Sequence, residues 1–93
     1  MKNTIERMNQ YIEEARDLLK RAEMLARYEE KKQVLTMIED AMAKLSLVQA
    51  YIDHMDYAGL NEEAYAKVQQ MSVAHDNLLV KAEMVNETIR RRG

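Results

Sequence analysis

The two histidines, His54 and His75, are the side chains in this sequence best suited to chemistry. A metal site on a helix wants a second ligand three or four residues away on the same face. At those offsets His54 has Ala50, Tyr51, Tyr57 and Ala58, and His75 has Met71, Ser72, Leu78 and Leu79. Asp53 and Asp76 are adjacent to the histidines in sequence, so each is expected to point elsewhere around its helix. The chain contains no cysteine, which removes thiolate chemistry and disulfides together. The hydroxyls of Ser46 and Ser72 lie in no strand-to-helix elbow. Apart from Gly93 the only glycine is Gly59, so no loop can cradle a phosphate. The carboxylate pairs Glu13-Glu14, Glu29-Glu30 and Glu62-Glu63 are sequential and read as solvated. The residues therefore predict no catalytic site, no metal and no cofactor, and the chain is read as a non-enzyme.

Arg90, Arg91 and Arg92 are a second candidate, because three cations at a helix end could touch phosphates. Cations there also complement the helix dipole and often belong to a fraying tail. The chain holds 14 basic and 16 acidic residues, a formal net charge of −2. That balance offers no general attraction for nucleic acid or an anionic membrane, and neither is expected as a partner. The alternative function is an accessory protein at a nucleic acid or membrane surface, using this arginine cluster and the basic half of the first helix. No apolar run approaches the ~20 residues that span a bilayer, and the N-terminal residues lack the apolar core of a signal peptide. A soluble cytoplasmic protein is expected.

The elements that would position any site are helical. Ala, Leu, Glu, Lys, Arg and eight methionines dominate the composition, and proline is absent. The stretch from Val34 to Leu60 organises the rest. It carries only five charges, Glu39, Asp40, Lys44, Asp53 and Asp56. Apolar residues recur at Val34, Ile38, Ala41, Leu45, Val48, Ile52 and Met55 in alternating steps of four and three, the spacing of a helix with one buried seam. A second seam, Thr36, Ala43, Leu47, Ala50, His54 and Tyr57, runs along its opposite side. A helix that is apolar nearly all round is normally buried. Ninety-three residues supply few helices to cover it, which points to a partner. The first helix has a seam at Ile5, Met8, Ile12, Ala15, Leu19, Ala22 and Ala26, widened by Tyr11, Leu18 and Leu25. The third has Ala64, Val68, Met71, His75, Leu78, Ala82, Val85 and Ile89, with a fainter outer seam of Ala66, Val73, Val80 and Met84. Met24, Met37, Met42 and Met84 lie off the main seams and could fill the core or form an adaptable binding surface.

Helices are predicted over residues 4–28, 33–58 and 62–91, with Asn3 or Thr4 as the first N-cap. The join over Glu29–Lys32 lacks ordinary turn residues. Yet the seams on either side of it stand about 80° out of phase, which a turn explains. At the second join Gly59 is expected in the left-handed position after Ala58, with Asn61 capping the next helix. The fold class is all-α, one domain formed as an antiparallel bundle of three long helices. The alternative is a long helical hairpin completed by oligomerisation. In heptads and helix count the chain resembles generic up-down-up bundles of the spectrin-repeat kind, with no signature residues. Function is read as a small helical protein–protein interaction module, of regulator, adaptor or co-chaperone type. It is expected to form a homodimer through Ala43, Leu47, Ala50, His54 and Tyr57 of helix 2 and Val73, Val80 and Met84 of helix 3, and to bind a further protein. His75, the one polar residue on a main seam, is expected either to be buried, hydrogen-bonded and level with Ala15 and Leu45, where it could fix register, or to lie partly exposed with its ring tip in water.

Overall fold

The computed structural model describes residues 2–28 and 30–92. Within them the chain forms α1 (Lys2–Leu25), α2 (Lys31–Asp53), a 3-10 turn (Tyr57–Gly59) and α3 (Glu62–Arg91). The helices pack against one another in a rod of 49 × 18 × 18 Å. This is the all-α three-helix bundle, and a turn between the first two helices excludes the long-hairpin alternative.

Each seam lies where its periodicity puts it. Met8, Ile12, Ala15, Leu19, Ala22 and Ala26 are buried from α1, and Val34, Ile38, Ala41, Leu45 and Val48 from α2. From α3 the core takes Val68, Met71, His75, Leu78, Ala82, Val85 and Ile89. Alanines alternate with larger side chains along α1, which lets the helices approach closely while still filling the space between them. Tyr11, Leu18 and Leu25 pack half-buried along the edge of this core. Tyr11 stacks on Tyr51 of α2, and Lys44 of α2 reaches Glu14 of α1 at 3.6 Å. These two contacts set an antiparallel register with Ala15 near the level of Leu45. Lys81 of α3 meets Glu23 of α1 at 3.2 Å and Arg92 reaches the Ala26 carbonyl at 2.7 Å, so α3 runs parallel to α1.

The helix ends differ from expectation at four of six places, and only those of α3 agree. Asn3 is already helical, so neither it nor Thr4 caps α1. The first join spans Ala26 to Glu30, a few residues earlier than Glu29–Lys32; Lys31 and Lys32 begin α2, and Glu29 lies outside the described residues. The Tyr28 amide bonds the Leu25 carbonyl at 3.0 Å, and Glu30 enters α2 in an extended conformation. α2 stops at Asp53 rather than Ala58. Asp53 and Asp56 place two negative charges at the end of the helix where the dipole is itself negative, which opposes extension. The Tyr57 hydroxyl donates to the Ile52 carbonyl at 2.7 Å, satisfying one of the last acceptors. Gly59 accordingly closes the 3-10 turn and does not adopt the left-handed conformation. The start of α3 is as read: the Ala64 amide donates to Asn61 Oδ1 at 2.7 Å, with Glu62 and Glu63 in the first turn.

Candidate functional site

Because the core seam fixes one side of each helix, residues half a turn away must face outward. On α2 these are Ala43, Leu47, Ala50 and His54, all exposed, followed by Tyr57 in the 3-10 turn. Leu47 keeps 46% of its surface in water. Together with Tyr51, Met55, Asp56 and, from α1, Thr4, the residues Leu47, Ala50 and His54 line an open groove of about 510 Å³. Its α1–α2 edge carries the Tyr11–Tyr51 stack, with ring centroids 6.4 Å apart and planes at 20°. The interaction with the Tyr51 hydroxyl, ahead of smaller Coulombic effects of Tyr51 and Tyr11, raises the Arg7 pKa above its ordinary value. Tyr57 is partly committed elsewhere, through its bond to Ile52 and an edge-on contact with Tyr65.

On α3 the outward residues Val73, Val80 and Met84 are 60%, 56% and 63% exposed. Met84 shares a second groove, of about 340 Å³, with Val85 and Thr88 and with Glu23 and Ala26 of α1. Leu47, Ala50 and His54 thus border the junction of α2 with α1, and Met84 the junction of α3 with α1. Of the off-seam methionines, Met24, Met42 and Met84 are exposed, whereas Met37 packs half-buried against the core. Tyr28, in the first turn, is 80% exposed.

His75 is buried to 4% exposure, and its partner is Asp76, its neighbour in sequence. Nδ1 lies 3.0 Å from Asp76 Oδ1. Nδ1 is the ring nitrogen nearer the backbone, so a short aspartate one position along can reach it from the solvent side. The imidazole thereby has a polar partner without breaking the apolar seam.

The C-terminal arginines are engaged rather than trailing. Arg90 and Arg91 lie 3.6 and 3.5 Å from Glu87. Arg92 Nη1 donates to the Ala26 carbonyl at 2.7 Å, across 66 positions of sequence. Ala26 is buried at the end of α1, where a carbonyl has lost its helical partner, so the guanidinium supplies a cap from another helix. No sequence signal distinguished Arg92 from its neighbours for this role. Arg92→Ala is expected to cost about 1 kcal/mol of stability, the worth of a charge-assisted bond at a partly wet site. Arg91→Ala, which removes an exposed ion pair, should cost less than about 0.5 kcal/mol. Equal urea midpoints for the two variants would show that the Arg92 bond adds nothing.

Among the described residues no group of three His, Asp or Glu side chains is placed to hold a metal ion, and no helix is long and apolar enough to cross a membrane. What the geometry does offer is an apolar strip on the outer side of α2 and another on that of α3, each reaching a shallow groove. No protein-family model matches the chain, and no curated protein or solved structure is significantly similar to it.

Proposed function

We propose that this protein is a non-enzymatic helical interaction module that associates with itself as a homodimer and presents a further surface to another protein. The observation that carries the reading is the exposure of Leu47, Val73, Val80 and Met84, at 46%, 60%, 56% and 63%, on helices whose opposite sides are fully packed. Scattered single apolar residues on a surface need no explanation, but stripes recurring at helical spacing mark interaction sites. Grooves beside each stripe supply the relief into which a partner helix could pack. The balanced charge of the chain and the Arg92 bond to the Ala26 carbonyl favour this reading over the nucleic-acid or membrane alternative.

Sedimentation equilibrium of the full chain tests it. The wild type is expected as a dimer at high micromolar concentration. A chain carrying both Leu47→Glu and Val80→Glu should sediment as a monomer with unchanged helical content, since both positions are exposed. A wild-type monomer across that concentration range would remove self-association from the reading.

A further inference from the structure

The outer face of α3 has a regularity that reaches beyond its three exposed apolar residues. Ala66, Gln70, Val73, Asn77, Val80 and Met84 follow one another in steps of four and three, all exposed, and the series continues through Glu87 and Arg91. This is a second heptad seam on a helix whose first seam already forms the core. With the three-residue step running from a to d, Gln70, Asn77 and Met84 occupy a positions, and Val73 and Val80 occupy d positions. Asp76 then falls at g and Lys81 at the following e, flanking the seam, and Glu83 at the next g.

We infer that α3 pairs with α3 of a second copy as a parallel two-stranded seam, with Asn77 facing Asn77 and Asp76 paired with Lys81 across the interface. The inference rests on the self-association proposed above and names its surface and direction. Charge and polarity decide the direction. In the parallel arrangement a g residue faces the e residue of the next heptad on the partner, so Asp76 meets the partner's Lys81 twice around the two-fold axis. The Asp76 side chain is 73% exposed, and Lys81, held toward Glu23 at 3.2 Å, stays accessible on the same flank. Asn77 meets its own copy, the arrangement in which an a-position asparagine satisfies its amide and fixes register. In an antiparallel arrangement of the same seam, g faces g, so Asp76 would oppose the partner's Glu83, an acid against an acid. Asn77 would oppose the partner's Val80, leaving an amide against an aliphatic side chain. Both mismatches occur twice. The seam polarity changes at Glu87, whose carboxylate is drawn toward Arg90 and Arg91 of its own helix, so the apolar contact ends at Met84.

The α2 stripe takes no part in this contact, because it lies on a different helix, with Leu47, Ala50 and His54 beside Thr4 of α1. It is the surface left for a different protein.

Single substitutions and cysteine pairing test the assignment on the full chain. Val80→Arg should convert the dimer to a monomer, while Leu47→Arg should leave it a dimer; both sites are exposed, so helical content reports that each variant folds. The chain has no cysteine of its own, so an introduced thiol reads out proximity without background. Asn77→Cys should oxidise to a disulfide-linked dimer, and an equimolar mixture of Asn77→Cys and Val80→Cys should show no preference for the mixed product. A preference for the mixed product with little Asn77→Cys homodimer would establish the antiparallel arrangement and overturn the proposal. Dissociation by Leu47→Arg but not by Val80→Arg would move the contact to α2, overturning the proposal while the self-association reading stands. A wild-type monomer would overturn both.

Discussion

Replacing Leu45 by alanine is expected to lower the unfolding free energy by about 2–5 kcal/mol, whereas Leu47→Ala should change it by less than about 0.5 kcal/mol. The two leucines stand two residues apart on α2 and point to nearly opposite sides of the helix. Leu45 is fully buried against α1 and α3, so truncation removes transfer free energy and leaves a cavity that close-packed neighbours cannot fill. Leu47 is 46% exposed and loses little contact. For a domain of this size each kcal/mol moves the melting temperature by roughly 4–8 °C. The Leu45 variant should therefore melt about 8 °C or more below the wild type in dilute solution, and the Leu47 variant within a few degrees. Similar losses at both positions would mean that the outer side of α2 is covered by something in solution.

The second large effect concerns the level of the bundle that holds His75. Ala15 and Leu45 are fully buried and His75 nearly so. The Tyr11–Tyr51 stack and the Glu14–Lys44 pair bracket a register that sets Ala15 near Leu45. The Glu23–Lys81 pair carries α3 past α1 with His75 within about half a turn of the same level. A small residue there makes room for an imidazole. Ala15→Leu should overpack this layer and cost about 1–3 kcal/mol. In a chain that also carries His75→Ala the added methyls enter the vacated space, and the cost should shrink by about 1 kcal/mol or more. Urea unfolding of the wild type, both single variants and the double variant gives the coupling directly. Additivity within about 0.5 kcal/mol would place the two residues in different layers.

What became legible without the structure, and what did not, divides by the range of the interaction responsible. The three helices and every buried position on their seams were readable because one buried face imposes a 3.6-residue rhythm on the sequence itself. The same rhythm exposed the outer stripes Ala43–His54 and Val73–Met84, and the Asn61 cap was readable because its acceptor and donor lie three residues apart. The early stop of α2 was local too. Asp53 and Asp56 oppose extension at the negative end of α2, and Gly59 closes the 3-10 turn instead of ending the helix. The His75–Asp76 contact departs from the spacing of helix faces, because Nδ1 lies close enough to the backbone for an adjacent carboxylate to reach it.

The remaining features were decided only when the helices came together. Glu23 and Lys44 each have an acid–base partner four residues away in sequence, yet Glu23 binds Lys81 and Lys44 binds Glu14 on other helices. Local pairs are worth only ~0.2–0.5 kcal/mol, so packing that brings a nearer partner readily overrides them. Arg92 caps Ala26 because parallel packing carries the end of α3 to the end of α1. The placement of the two apolar stripes has the same origin. Sequence placed each on the outer side of its own helix, but only the packing put Leu47, Ala50 and His54 beside Thr4 of α1 and Met84 beside Glu23.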